Sequence, residues 1–156
     1  MLSIQITKRS DGGGVLRCVR ADGSVTWQKQ TARHAAFFAL HDLTHFAVET
    51  TLGYRQGFFG LIAAGWDVDD TTGKGVRGPL PPEAGEVEQI VGLFSSERSG
   101  YIWTAEEFNE FSPRRLTLEE IQRVRARCSQ LFQQWFAIEP GATFEIEYQH
   151  APAILA

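Results

Sequence analysis

Apolar and polar residues alternate at both ends of the chain. Leu2, Ile4 and Ile6 interleave with Ser3, Gln5 and Thr7, and Phe144, Ile146 and Tyr148 interleave with Glu145, Glu147 and Gln149. A period of two is that of a strand with one buried face. "SDGGG" interrupts the first run, and "VLRCVR" and "SVTWQKQ" flank the turn "ADG". The first 30 residues therefore predict an antiparallel meander.

Between these ends the pattern becomes helical. From about Thr31 to Thr51 there is no turn residue, and Gly53 supplies a C-terminal stop. "RQGFFGLIAAGW" predicts a shorter helix in which Gly57 and Gly60 permit close backbone approach. Residues 67–82, "DVDDTTGKGVRGPLPP", form a long polar loop of the kind that often carries function. Pro82 fits the first turn of the next helix, with Glu83 and Glu86 near its positive end. Val87, Ile90, Val91 and Phe94 mark the buried stripe of that helix.

Thr104 with Glu107, and Thr117 with Glu120, are capping-box pairs. The second pair opens a long helix whose apolar face runs through Ile121, Val124, Cys128, Leu131, Phe132 and Trp135. Strands first, helices next and a strand last predict an α+β fold in a single domain over residues 1–156. The expected sheet is small and antiparallel, with the C-terminal strand rejoining the meander. Four to five helices pack largely on one face, among them a buried histidine-bearing helix.

Composition supports this picture. A chain of 156 residues, 43% of them apolar, is long enough to bury a core. A net charge of −4 leaves no electrostatic footprint for nucleic acid. Arg114, Arg115, Arg123, Arg125 and Arg127 are interspersed with Glu119 and Glu120, which reads as a solvated helix face before it reads as a site for an acidic partner. Cys18 and Cys128 lie far apart and suggest neither a metal knuckle nor a disulfide framework. "MLSIQITKRS" lacks the basic start and apolar run of a signal peptide, and no apolar stretch approaches a membrane span. A cytoplasmic protein without a membrane partner is the expectation. "TTGKG" does not complete a phosphate-binding loop, because Val68 stands where the first glycine belongs and no Ser or Thr follows Lys74.

The candidate chemistry lies in "HAAFFALHDLTHFAVETTLG", residues 34–53. On a helix, His34, Phe38, His41, His45 and Glu49 fall in one sector, while Leu40, Leu43, Phe46 and Ala47 cover much of the other side. A helix apolar on both sides is a buried one, so the histidines are expected to face the interior or a cleft floor. His41 and His45, spaced i and i+4, can converge on one cation. His34 lies roughly 10 Å away along the axis and reads as a pocket group or as one that supports the ligands from behind. Glu49 either shares a metal with His45 or orients its imidazole as an outer acceptor.

Asp42 stands where H-E-x-x-H metalloproteases carry their general-base glutamate, and is expected to act as base or as a ligand. A third protein ligand must come from elsewhere. Asp67, Asp69 and Asp70 follow the short helix, and Glu83 and Glu86 extend the next helix's buried stripe.

"HDLTH" resembles the H-D-x-x-H core of the zinc-binding ubiquinone-biosynthesis proteins. That resemblance implies His41, Asp42 and His45 as ligands of a metal associated with quinone-precursor processing. The likeness covers five residues, and the glutamate that continues the signature is here Gly57.

The residues together predict a small metal-binding protein, a zinc- or iron-dependent hydrolase or lyase acting on a small molecule. His41 and His45 are its ligands, with Glu49, Asp67 or Glu86 completing the site. Imidazole and carboxylate also suit manganese. The alternative is a non-enzymatic ligand-binding or accessory domain, in which the histidines are structural or line a pocket.

Overall fold

The structure is a computed structural model that describes residues 1–149, so residues 150–156 of the expected domain lie outside the described residues. Four strands form one antiparallel sheet: β1 (Leu2–Lys8), β2 (Gly14–Arg20), β3 (Val25–Gln30) and β4 (Thr143–Tyr148). Their order is β3-β2-β1-β4, with β4 beside β1. Ile4 stands opposite Cys18 on one side and Ile146 on the other. The predicted return of the last strand to the meander is therefore met.

Alternation places Leu2, Ile4, Ile6, Leu16 and Cys18 on one buried face of the sheet. Each fully buried aliphatic side chain of this kind is worth roughly 1.5–3 kcal/mol. Five helices join that core: α1 (Ala32–Leu52), α2 (Phe58–Ala63), α3 (Pro82–Ser96), α4 (Ala105–Phe111) and α5 (Leu118–Ala137). The expected α+β architecture is thus present.

The local signals act where the sequence placed them. Gly53 closes α1 in the left-handed conformation at φ 75°, and its N–H donates to the Glu49 carbonyl. Thr104 with Glu107, and Thr117 with Glu120, form reciprocal capping boxes on α4 and α5. Pro82 begins α3, which buries Val87, Ile90, Val91 and Phe94. The polar loop after α2 includes a short 3-10 helix, Val68–Thr72. Arg20 ties this region to the sheet, donating to the Ile62 and Trp66 carbonyls at 2.7 and 2.5 Å.

Within the arginine cluster Arg115 and Arg123 are exposed, as a solvated face requires, while Arg114 and Arg125 are half-buried. Arg125 turns inward and makes two bonds to the Glu97 carboxylate, at 2.9 and 2.6 Å. Arg114 pairs with Glu120 at 3.2 Å. Both cysteines are free, Cys18 being buried in the core. Among the described residues, no helix is long and apolar enough to cross a membrane.

Candidate metal centre

Residues 42–49 of α1 are buried without a break, because α1 lies between the sheet, α3 and α5. Burying ionisable groups in such a helix is costly unless each has a partner. The partners come from α1 itself, from α2, from α3 and from the end of β3.

His41 and His45 project from successive turns, with ring centroids 4.8 Å apart and an interplanar angle of 73°. Phe37 stacks on His41, and Phe58 lies beside His45. Glu88 of α3 faces both imidazoles. One of its oxygens is 2.8 Å from His45 Nε2, and the other is 3.5 Å from His41 Nε2. One donor atom from each of His41, His45 and Glu88 falls within 4.8 Å of the others, so the group could hold a metal ion. Glu88 keeps 58% of its side chain exposed, whereas His45 keeps 4%. The cluster thus has a buried inner wall and an open outer side.

Glu49 lies behind His45. Its Oε2 is 3.2 Å from His45 Nδ1, and its side chain has no exposure. The same carboxylate accepts the N–H groups of Phe59 and Gly60 in α2, at 3.3 and 3.0 Å. Gly57 makes room for it: a Cβ there would stand 2.4 Å from Glu49 Cδ. Glu49 therefore occupies the space that a side chain at position 57 would need. Of its two expected roles, the geometry shows that of an acceptor orienting His45.

Each nitrogen of His45 thus meets a carboxylate. Burial disfavours the imidazolium, but the bonds to Glu49 and Glu88 override it and raise the pKa to about 9. The His45 bond holds Glu88 below the usual carboxylate range, against its partial burial. Burial, then the neighbouring His45 charge, lowers the pKa of His41. Without a metal the cluster is therefore a charged pair beside a neutral imidazole. A metal bound at His45 Nε2 would have to displace a proton and take Glu88 from hydrogen-bond acceptor to ligand. Nδ1–H would remain on Glu49, the arrangement that fixes the tautomer of metal-bound histidines.

Asp42 is buried, and Gln30 Nε2 donates to its Oδ2 at 3.4 Å. Burial raises its pKa to about 7, opposed by the nearby His45. It lines a cavity of about 490 Å³ together with His41, His45 and Glu88. Its oxygens do not belong to the converging donor group, which leaves it as a wall residue beside that group.

The other expected ligands lie elsewhere. Glu86 accepts the Tyr54 hydroxyl at 2.6 Å. Two residues of helix separate it from Glu88 by about 200° of azimuth, which aims the two acids to opposite sides of α3. Asp67 pairs with Arg20 at 3.0 Å and caps the 3-10 helix. Asp70 completes that capping box, and Glu83 accepts from the backbone of Arg55 and Gln56. His34 is exposed in the first turn of α1, its ring against Phe38.

Glu88 had no distinguishing signal in the sequence. It follows the buried Val87 and reads as an ordinary wet-face acid of an amphipathic helix. Comparison with protein-family models, with curated proteins and with solved structures finds no match to this chain.

Proposed function

We propose that this protein binds a divalent transition metal through His41, His45 and Glu88 and uses it in a hydrolase- or lyase-type reaction on a small molecule. The observation that carries this reading is the convergence of two imidazoles and one carboxylate at the mouth of a cavity, with a buried acid orienting one imidazole. Two histidines and one carboxylate, with a position left for solvent or substrate, are the donor set of catalytic zinc sites. The same set suits non-haem iron, and manganese also accepts imidazole and carboxylate. We place zinc first because a tetrahedral site closes with these three donors and one water, whereas six-coordinate iron or manganese would need three further ligands.

A bound metal would supply Lewis acidity toward a water or carbonyl. Asp42, on the wall of the same cavity, is placed to exchange a proton with a substrate held there, and we assign it the general-base role. Gln30 keeps the Asp42 carboxyl in place. The likeness of "HDLTH" to the metal motif of the ubiquinone-biosynthesis proteins supports the metal and is not extended to quinone chemistry.

A second reading has its own observation. Both nitrogens of His45 are already bonded to carboxylates, so the cluster is self-consistent as a structural ion-pair network in a non-enzymatic domain.

Metal analysis of protein purified without a polyhistidine tag separates the two. Under the first reading, wild type takes up one equivalent of metal, and His41→Ala and His45→Ala lose it while circular dichroism shows a retained fold. Absence of uptake after reconstitution with zinc, iron and manganese overturns it in favour of the second.

A further inference from the structure

The geometry points to a substrate that is uncharged and largely apolar, with one polar group at the donor cluster and no acidic group elsewhere. This rests on the metal-binding reading above and adds the chemical class that the cavity admits.

The cavity walls are Phe38, Phe58, Leu61, Val68, Leu80 and Ala84. A volume of about 490 Å³ suits a molecule of one or two rings' size. The ionisable side chains that reach it are Asp42, Glu88, His41 and His45; among the described residues, no lysine or arginine lines it. Glu49 adds another acid directly behind His45. A carboxylate or phosphate on the substrate's distal end would thus lie between apolar walls and acids, without a cation to pair it. An unpaired charge in such surroundings carries a large desolvation cost.

Two neighbouring arginines are committed to other places. Arg98 lies over the Phe132 ring and reaches Thr44, lining a separate groove. Arg77 spans Asp70, the Gly65 carbonyl and the Trp66 ring. Nor do the cavity hydroxyls offer protons. Thr71 donates to the Val68 carbonyl at 2.5 Å and Thr72 to the Asp69 carbonyl at 3.0 Å, within the 3-10 helix. Gln28 brings an uncharged amide to the wall, suited to a neutral carbonyl or hydroxyl.

The test uses the full chain reconstituted with zinc, its metal content measured first, and calorimetric titration with three hydroxamates sharing one metal-binding head. Benzohydroxamate should bind about tenfold more tightly than acetohydroxamate, because the ring enters the apolar cavity. Para-carboxybenzohydroxamate should lose about tenfold or more relative to benzohydroxamate. Leu80→Lys, which puts a cation on the wall, should narrow or reverse that loss. Equal or tighter binding of the carboxylate compound to wild type overturns the inference, as does a ring that adds nothing.

A protein that takes up no zinc defeats the metal reading instead. The cavity preference is then read on the metal-free protein, from NMR shifts of the Leu61 and Leu80 methyls with benzyl alcohol and with benzoate. Larger shifts with the alcohol support the preference, and equal or larger shifts with benzoate overturn it.

Discussion

Two partly buried ionic clusters in this protein use similar groups to opposite ends. At the first, Glu97 takes two bonds from Arg125 and a third from the Trp103 N–H, while Arg125 also donates to the Trp103 carbonyl. At the second, Glu88 meets His41 and His45, with Glu49 behind. The guanidinium keeps its proton at any working pH, and its partners form a closed set around the short turn between α3 and α4. The imidazoles can give up protons and Glu88 is more than half exposed, whereas Glu97 is buried; a cavity adjoins each cluster, so the difference lies in the groups and their exposure. A saturated cluster fixes backbone geometry. A cluster with titratable members and an open side retains the capacity to bind.

The sharpest way to test this contrast is to break the closed cluster. Glu97→Ala strands a half-buried Arg125 and the Trp103 N–H, and should cost about 3 kcal/mol in urea unfolding. Metal content should be unchanged, and loss of metal in this variant would dissolve the distinction. Glu49→Gln probes the boundary between the two classes, because this acid is structural toward α2 and supportive toward His45. It should cost about 2 kcal/mol. It should also weaken metal affinity about 10–100-fold in a chelator competition.

Protonation gives a third, smaller effect. His45 holds its proton more tightly in the folded state, at about 9 against an ordinary 6.5. Its stabilisation is therefore complete below pH 6.5 and is lost as pH rises toward 9. Asp42, raised to about 7, contributes in the same direction between its ordinary 3.8 and that value. Glu88 and His41 are shifted downward, so their contributions run oppositely, at lower pH. Metal-free protein should accordingly lose on the order of 1–2 kcal/mol between pH 7 and 9, read by thermal unfolding. Metal-loaded protein should show the reverse trend, because binding releases protons. A metal-free melting temperature that does not fall over this interval would contradict the doubly bonded His45.

The smallest stability effect belongs to Glu88→Gln. The group is exposed enough that its removal should change metal-free stability by less than about 1 kcal/mol. Yet that variant should lose the metal, as measured by elemental analysis. Full metal retention would move the third ligand to another residue.

Local sequence determined much of this molecule. Alternation placed Leu2, Ile4 and Ile6 on the buried face, the Thr–Glu pairs set the starts of α4 and α5, and Gly53 ended α1. The spacing of His41 and His45 also placed their rings together, since neighbours one helical turn apart share a face wherever the helix goes. These are properties of a few consecutive residues and survive any packing. The third member was different. Glu86 and Glu88 are the same residue type, and only the way α3 lies along α1 turns Glu88 to the histidines and Glu86 to Tyr54. Asp67 was drawn to Arg20 by the placement of the 3-10 helix against the sheet. Glu49 became the acceptor behind His45 because α2 folds back and offers two N–H groups over Gly57. Such choices depend on helix azimuth and crossing, which arise from side chains meeting across distant segments and are not encoded in any short stretch.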